Sequence, residues 1–513
     1  MKRRRAAVIL ALIAVLAASS TCTREPADRP SQARTGLAGP VGPVGPVGPI
    51  ARSCDGVTVG PSDAVQPIID AHPPGTTYCF SAGTYRLREP LRPKAGDALT
   101  GRVGAVISGS KVLAGWRKTL RGWSTTGFLP AVAGDHGSCR PTEPTCADAE
   151  DVFVDKQRLT RVRSLSKVVH GTVYADYGTN TITIGDDPSR HLIEQAVAPS
   201  LIRTTANDVT IANLVLEQAA NEAQIAAVES RQVTPRAMGS GWRIVHNDVR
   251  LNHGVGLGIA DGAYVSANFV HHQGQLGFGA WGTGSVVTGN EISFNGLAGY
   301  SQDWEAGGSK SWQTDRQSIT HNDIHDNLGP GLWSDGGAIH TEYAANRITG
   351  NWGAGIQHEL SYDATIRDNE ISDNGKDHKG WAWEAGIQIQ SSGGTGLIEI
   401  TGNAVARNAN GIALIDSGSR AYESPAPHGP HVVRNVWVHD NRITMGPGQT
   451  TGAVQDTGDT AIYSRRNNRF EANTYSLTDL GGLHFSWNDT DLDWTDWRAL
   501  GHDADGRAER ASR

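Results

Sequence analysis

The sequence predicts an all-β fold, a right-handed parallel β-helix, from three observations. An Asn followed two residues later by Val or Ile recurs along the chain, with shorter gaps of 21, 22, 23 and 24 residues and longer gaps of 32, 34, 34 and 38. The intervening segments are short, rich in β-forming residues and separated by Asn-Gly or Asp-Asn turns. Helical periodicity is absent from this stretch. Short strands that return about every 22 residues bury their apolar faces only by stacking as a solenoid.

The recurring Asn side chains are expected to stack at one corner of successive coils. Each amide would then bond to the next along the solenoid, as in other ladders of identical side chains. This role is structural, so we do not expect these residues to bind substrate. They are Asn213, Asn247, Asn268, Asn290, Asn322, Asn346, Asn369, Asn403 and Asn441.

The N-terminal residues 1–21 have the features of a signal peptide. A basic start is followed by an apolar run over residues 6–18 and then by small residues. Cys22 would become a lipidated N-terminus in a lipoprotein, and simple secretion is the alternative. Residues 22–51 contain GPVGPVGPVGPI, which predicts a semi-rigid linker. We therefore expect a secreted or cell-surface protein.

Four further cysteines are an even number, which suits disulfides in an oxidising compartment. The simplest pairing joins Cys54 to Cys79 and Cys139 to Cys146, because each bridge closes a short loop; four unpaired thiols are the alternative. Zinc is not expected, because no C-x-x-C spacing occurs.

The remaining chain is assigned to a β-helix over residues 52–490 and a C-terminal cap and tail over 491–513. Residues about 110–200 are predicted to form an insertion with its own β-structure. The segment WTDWRALGHDADG, from Trp494, predicts a short amphipathic helix that covers the open end of the solenoid. The net charge of −7 and the lack of a basic cluster beyond the N-terminus argue against nucleic-acid binding. We expect a monomer.

One series of strands places acids at equivalent positions in successive coils. The segments GYSQD, GLWSD and GIQHE begin with Gly and an apolar residue, and alternation sends their third and fifth residues outward. The fifth residues are Asp303, Asp335 and Glu359. Carboxylates in neighbouring coils would lie roughly 5 Å apart, which shifts their pKa values in opposite directions and is the separation found in retaining glycosidases. We predict Asp335 as nucleophile and Glu359 as general acid/base.

Aromatic, amide and charged side chains beside these acids are predicted to form a substrate groove. Indoles stack on sugar rings, and loops on both flanks of one sheet would raise the groove walls. Glu305 and Lys310 are assigned to one wall, where the intervening Gly pair would let the backbone approach a ligand. Ser334 and His358 are predicted to point inward. The predicted substrate-binding residues are Trp281, Asp303, Glu305, Lys310, Trp333, Gln357, Gln388, Gln390, Trp383 and Glu384, with His378 on the wall that carries Trp383.

The chain resembles the pectate-lyase-like superfamily of parallel β-helix proteins over roughly residues 52–500. Within it, GLWSD followed by a Glu 24 residues after Asp335 resembles the β-helical β-xylosidases. That resemblance implies Asp335 as nucleophile and Glu359 as acid/base. The residues after Asp335 are Gly-Gly rather than aromatic, and Ser-Tyr-Asp after Glu359 also departs from the pattern, so the resemblance does not transfer the substrate.

The resulting hypothesis is a retaining glycoside hydrolase that acts on an extracellular glycan without a cofactor. A Ca²⁺-dependent polysaccharide lyase is one alternative, with Lys310 as base and Asp303, Asp335 and Glu359 as calcium ligands. A non-catalytic glycan-binding protein at the cell surface is the other alternative.

Overall fold

The computed structural model describes residues 45, 47–50, 53–232, 237–376, 380–418 and 428–511. These belong to one compact unit, Gly39–Arg513. The predicted signal peptide, Cys22, most of the predicted linker and His378 lie outside the described residues. None of the described helices is long and apolar enough to cross a membrane.

Three long sheets wind around one apolar core, which confirms the predicted β-helix. Consecutive coils contribute neighbouring parallel strands to each sheet, as in Ile324, Ile348 and Ile371, which stack in register. Complete burial of each such side chain contributes about 1.5–3 kcal/mol.

The first sheet contains the strands Val57–Val59, Thr77–Phe80, Ala98–Gly101, Thr210–Ala212, Arg243–Val245, Tyr264–Ser266, Val286–Thr288, Ser318–Thr320, Thr341–Ala344, Ala364–Arg367, Ile398–Thr401, Val436–His439 and Arg469–Glu471. The second sheet contains Gly83–Arg86, Ala105–Ser108, Val215–Glu217, Asp248–Arg250, Phe269–His271, Glu291–Ser293, Asp323–His325, Arg347–Thr349, Glu370–Ser372, Ala404–Ala406, Arg442–Met445, Thr474–Leu477 and Arg507–Arg510. The third sheet contains Ile202–Arg203, Ala226–Glu229, Val255–Ile259, Leu276–Thr283, Gly307–Asp315, Leu332–Asp335, Ile356–Glu359, Ala385–Gln390, Asn410–Asp416, Thr451–Gln455, Phe485–Trp487 and Thr490–Leu492.

Buried asparagines form the predicted ladder between the first and second sheets. The side-chain N–H of Asn346, for example, donates to Asn369 Oδ1 at 3.0 Å, and Asn322 donates to Asn346 Oδ1 at the same distance. The ladder extends to Asn473 and ends on Asp503. A second ladder, which the sequence pattern did not indicate, lies at the next corner and is formed by Asn252, Gln273, Asn295, Asn327, Asn351, Asn374 and Asn408.

An inserted β-structure follows the first coils. Its two sheets contain Gln157–Arg158, Val152–Val154, Ile193–Ala196 and Ser110–Val112, and Thr160–Arg161, Thr172–Asp176, Thr181–Ile184, Gly122–Thr126 and Arg117–Thr119. A small hairpin pairs Arg231–Gln232 with Ala237–Met238. Buried Glu194 binds Lys156 at 2.7 Å, and Lys156 also binds Glu217 on the second sheet at 2.7 Å. These ion pairs fix the insertion to the solenoid.

Helices are short and lie at the edges of the fold. The α-helices are Val65–Ala71, Ala461–Ser464 and Trp494–Ala499, and the 3₁₀ helices are Leu165–Lys167 and Pro188–Arg190. Asp493 accepts a hydrogen bond from the backbone N–H of Asp496 and caps the last α-helix. Trp497 of that helix is buried against Phe485, so the helix covers the end of the core as predicted.

Two disulfides join the predicted pairs, Cys54 to Cys79 and Cys139 to Cys146. Both bridges connect segments that are close in sequence, which explains why spacing sufficed to predict them. Disulfides are typical of proteins that fold outside the reducing cytosol.

Candidate active site

The outer face of the third sheet carries two columns of polar and aromatic side chains. In the first column, strand register aligns Trp333 with Gln357 and Gln357 with Gln388. In the second column, it aligns Trp312 with Asp335 and Glu359 with Gln390. Because Ser334 is paired with His358, the next residues, Asp335 and Glu359, lie level with each other in neighbouring coils. The two columns are Lys310, Trp333, Gln357 and Gln388, and Trp312, Asp335, Glu359 and Gln390.

The predicted coil alignment is wrong at one strand. Asp303 does not precede Asp335 in the column, because Asp303 lies in a turn and the strand of that coil is Gly307–Asp315. Trp312 occupies the position assigned to Asp303. The column therefore contains two acids rather than three, and Asp303 lies instead in the loop that precedes the strand.

Glu359 is held by three N–H donors. The indole Nε1–H of Trp333 donates to Glu359 Oε2 at 2.9 Å, and the amide of Gln357 donates to the same oxygen at 3.0 Å. The amide of Gln390 donates to Glu359 Oε1 at 3.1 Å. These bonds hold the carboxyl group in position on rigid strands. Glu359 is also largely buried, with 5% of the residue exposed.

Asp335 forms a buried ion pair with Lys310. The Nζ of Lys310 lies 2.9 Å from Asp335 Oδ2 and 3.4 Å from Glu305 Oε1, and it also donates to the carbonyl of Trp304. It lies 3.9 Å from the centre of the Trp333 ring. Asp335 is 0% exposed and Lys310 is 6% exposed.

Charge in this cluster favours a protonated Lys310. Burial alone lowers the pKa of its ammonium, but the nearby carboxylates of Asp335 and Glu305 outweigh burial and hold that pKa above its ordinary value. The prediction that Lys310 lies on a loop wall is wrong, because it projects from the sheet.

The adjacent Gly pair has a packing role. A Cβ on Gly307 would lie 2.5 Å from the carbonyl oxygen of Pro330, and one on Gly308 would lie 2.3 Å from that of Gly331. Both distances are too short for any side chain. The pair therefore allows close packing against the next coil, rather than the predicted approach to a ligand.

Two cavities in the described part of the chain are lined by predicted site residues. The first, of about 310 Å³, is lined mostly by predicted residues, with four that were not predicted. Predicted residues in its lining are Asp303, Trp333, Gln357, Glu359, Trp383, Glu384, Gln388 and Gln390; the others are Gln302, Pro330, Gly353 and Ala354.

The second cavity, of about 330 Å³, contains the predicted residues Trp281, Glu305 and Lys310. Its lining also includes Gln224, Arg231 and Trp312, which no sequence pattern indicated. The guanidinium carbon of Arg231 lies 3.8 Å from the centre of the Trp281 ring. Trp281 is therefore stacked on a cation and does not line the cavity that contains Glu359.

Trp383 lines the first cavity and packs against an apolar cluster that contains Ala413, Ile415 and Val454 of the third sheet. The backbone N–H of Glu384 donates to Gln388 Oε1 at 2.8 Å, which attaches the loop to the sheet. Glu384 is 7% exposed, so it is not a solvated loop residue.

The insertion braces the opposite wall. The disulfide-linked loop forms a β-bridge from Cys139 to Tyr300, and the backbone N–H of Ser301 donates to the carbonyl of Ser138 at 2.8 Å. His136 packs edge-on against Trp304, with the ring centres 5.9 Å apart. The insertion thus fixes the segment whose carbonyl and carboxylate groups bind Lys310.

Ser334 and His358 point inward, as predicted. His358 is fully buried, its Nε2 lies 2.7 Å from the carbonyl of Tyr362, and its Nδ1 lies 3.4 Å from the hydroxyl of Tyr343. Burial lowers the pKa of His358 to about 4, although its bond to Tyr362 opposes this shift. The imidazole is therefore neutral at pH 7 and supports the strand from behind.

The described residues contain no preformed metal site. No group of three or more His, Cys, Asp or Glu side chains among them is arranged to hold a metal ion. The predicted calcium set of Asp303, Asp335 and Glu359 does not come together, because Asp303 belongs to the loop and Asp335 is paired with Lys310.

Comparison with known families supports the same architecture. The family described as "Right handed beta helix region" matches residues 237–341 and 340–424. The chain has the right-handed parallel β-helix fold. No curated protein matches this β-helix protein in sequence.

Among solved structures, one supports the same fold, and others are similar at lower TM-scores. XylC in complex with xylose is similar at a TM-score of 0.61, with 14% identity over 88% of this chain and 83% of XylC. The A-module of the Azotobacter vinelandii mannuronan C-5 epimerase AlgE6 has a TM-score of 0.46, with 14% identity over 90% of this chain and 97% of the module. The catalytic unit of the GH87 α-1,3-glucanase from Streptomyces thermodiastaticus strain HF3-3 also has a TM-score of 0.46, with 12% identity over 90% of this chain and 69% of that unit.

Proposed function

We propose that this β-helix protein is a glycoside hydrolase whose first cavity binds the sugar at the scissile bond. The observation that carries the proposal is the fixed carboxyl group of Glu359, which lines the cavity and accepts N–H donors from Trp333, Gln357 and Gln390. Amide groups suit the hydroxyls of a sugar, and indoles suit its apolar faces.

Glu359 is assigned as general acid/base and Asp335 as nucleophile. Their strands are neighbours in the sheet, so their backbones are about 4.8 Å apart. This spacing is compatible with the carboxyl separation of a retaining enzyme. Glu359 would protonate the glycosidic oxygen while Asp335 attacks the anomeric carbon. Glu359 would then remove a proton from the water that hydrolyses the glycosyl ester.

Burial of Asp335 sets a condition on this mechanism. Its carboxylate is fully buried in the ion pair with Lys310. When a sugar enters, Lys310 would therefore have to move away from Asp335 or form its ion pair with Glu305 alone. The reactive arrangement of these groups would then form only in the complex, as is common for catalytic sites.

The same burial favours an inverting hydrolase as the second candidate. Asp303 and Glu384 line the first cavity together with Glu359, so one of them could activate a water molecule across the sugar. An inverting pair needs carboxyl groups about 6.5–9.5 Å apart, with space for that water. Product stereochemistry separates the two mechanisms.

A lyase in which Lys310 is the base is less well supported. A base must be unprotonated, whereas the carboxylates around Lys310 raise the pKa of its ammonium. A lyase would form an unsaturated product that absorbs ultraviolet light. If the lyase depended on calcium, EDTA would abolish the formation of this product.

The proposal is tested on the purified protein with a panel of aryl glycosides and oligosaccharides, beginning with xylosides because the similar XylC structure contains xylose. We expect sugar release that falls by about 10³-fold or more in Glu359→Gln and in Asp335→Asn. Glu370→Gln, on the second sheet, is the matched control and should retain activity.

Two outcomes would overturn parts of the proposal. Glycan binding without turnover would make the protein a non-catalytic binder. Full activity of Asp335→Asn, together with inversion at the anomeric carbon, would assign the inverting mechanism. A retaining enzyme should instead yield a glycosyl azide when azide restores activity to Asp335→Gly.

A further inference from the structure

Two exposed tryptophans stand at the rim of the first cavity. Trp381 is 46% exposed and Trp352 is 38% exposed. Trp352 directly precedes Gly353 and Ala354, and Trp381 lies two residues before Trp383; all three of these neighbours line the cavity. An indole that is exposed beside a cavity is able to stack on a sugar ring that extends out of it.

The two tryptophans belong to adjoining coils. Asn351 and Asn374 are consecutive members of the second ladder, joined at 2.8 Å, and Trp352 follows Asn351 directly. The backbone N–H of Gly375 donates to the carbonyl of Gly353 at 2.9 Å. The loop that carries Trp381 therefore begins one coil above Trp352.

Trp381 is fixed in its exposed position by the neighbouring coil. The side-chain N–H of Asn410 donates to the carbonyls of Trp381 and Trp383, at 3.2 and 2.9 Å. The indoles of Trp381 and Trp383 meet edge to face, with their ring centres 5.8 Å apart.

We propose that Trp352 and Trp381 bind sugar units that lie beyond the one held in the first cavity, so that the substrate is an oligosaccharide or polysaccharide. This inference rests on the proposed function. The rim offers flat apolar rings, whereas the adjoining cavity offers the amides of Gln357, Gln388 and Gln390. A sugar chain presents both matching surfaces in one molecule, because its rings have apolar faces and its hydroxyls project from their edges.

The inference is tested by substrate length. Trp381→Ala, Trp352→Ala and the double variant are compared with the parent on a series from an aryl glycoside of one sugar to longer oligosaccharides. We expect kcat/KM for the longer substrates to fall about tenfold or more in the double variant, with the one-sugar aryl glycoside unchanged within about twofold. Trp381→Phe should retain most of the preference for longer substrates.

Phe294→Ala is the matched control, because Phe294 is 40% exposed and follows a strand of the second sheet, away from the cavity. It should leave the length dependence unchanged. Equal losses on short and long substrates in the double variant, or an unchanged length dependence, would overturn the inference.

Direct binding separates this inference from the proposed function. The affinity for oligosaccharides is measured by calorimetry in the Glu359→Gln background, with and without the two Trp→Ala substitutions. Weaker binding in the Trp variants, without turnover by the parent, would retain the rim site and reject the hydrolase. Equal binding, or no binding of any oligosaccharide, would reject the rim site.

Discussion

The ammonium group of Lys310 lies 2.9 Å from the carboxylate of Asp335, and both residues are almost completely buried. A buried charge is tolerated only when it is paired, because its removal from water is costly. This ion pair lies directly beside Trp333, whose indole in turn contacts Glu359. The stability of this part of the sheet and the arrangement of the two candidate catalytic acids are therefore coupled.

Loss of the Lys310 charge should destabilise the protein. Lys310→Met leaves Asp335 buried without this cation, so we expect the free energy of unfolding to fall by about 3–5 kcal/mol. Urea denaturation measures this change. The double variant Lys310→Met/Asp335→Asn removes both charges and should recover much of the loss. A single-variant loss below about 1 kcal/mol would contradict this account.

The indole N–H of Trp333 should contribute to activity as well as to stability, because its hydrogen bond fixes Glu359. Trp333→Phe keeps an aromatic ring beside Lys310 but removes the donor to Glu359 Oε2. A hydrogen bond to a charged group contributes about 1.5–3 kcal/mol, so we expect kcat to fall about tenfold or more with KM little changed. Steady-state kinetics on the best substrate of the panel provides the measurement.

Trp437→Phe is the control for this variant. The indole N–H of Trp437 donates to Glu471 at 2.8 Å on the first sheet, so the control removes the same type of hydrogen bond outside the candidate site. It should leave kcat unchanged. Equal kinetics in Trp333→Phe and the parent would remove Trp333 from the catalytic arrangement.

The solenoid could be predicted because one residue type marks its repeat. Buried Asn amides in the first ladder bond to identical neighbours in register, so their spacing reports the coil length directly. Gln273 in the second ladder replaces Asn, and that ladder lacks the Asn-x-Val/Ile pattern, so its members were missed.

The error at Asp303 has a similar local cause. GYSQD resembles the Gly-apolar strand starts, but it is a loop whose Tyr300 forms an isolated β-bridge with Cys139 of the insertion. The true strand begins at Gly307, where alternation also sends Lys310 and Trp312 outward. Both registers satisfy the alternation, and only the contact between distant segments distinguishes them. The Lys310–Asp335 ion pair depends on the second register and could not be derived from the first.

Interruption of the first Asn ladder should be costly. Asn346→Ala removes the bonds to Asn369 and to the carbonyl of Ile319, and it takes away the oxygen that accepts from Asn322. Each unpaired buried polar group costs about 1–3 kcal/mol. We therefore expect the free energy of unfolding to fall by about 3 kcal/mol or more, as measured by urea denaturation.

Thr288→Ala is the comparison for the ladder variant. Thr288 accepts one half-buried side-chain hydrogen bond, from Thr320, and its loss should cost less than about 1 kcal/mol. Similar losses in the two variants would show that the ladder amides contribute no more than ordinary surface hydrogen bonds.

Acid should destabilise the fold through buried neutral histidines. Burial lowers the pKa of His358 to about 4, whereas an unfolded His titrates near 6.5. Both states are neutral at pH 7, and between about pH 6.5 and pH 4 only the unfolded chain binds the proton. The contribution of each such His to the free energy of unfolding is therefore fully present above its unfolded pKa. It decreases as the pH falls, by up to about 1.4 kcal/mol per pH unit.

His358→Gln isolates this contribution, because Gln can still donate to the carbonyl of Tyr362 but does not titrate. Urea denaturation at about pH 7 and about pH 5 should show a smaller loss of stability in His358→Gln than in the parent. Thr288→Ala, the comparison variant of the Asn ladder, removes no titratable group and should keep the parent's dependence on pH. Equal pH dependence in His358→Gln and the parent would mean that His358 is already protonated in the folded protein, and its hydrogen bonds to Tyr343 and Tyr362 would then need reassignment.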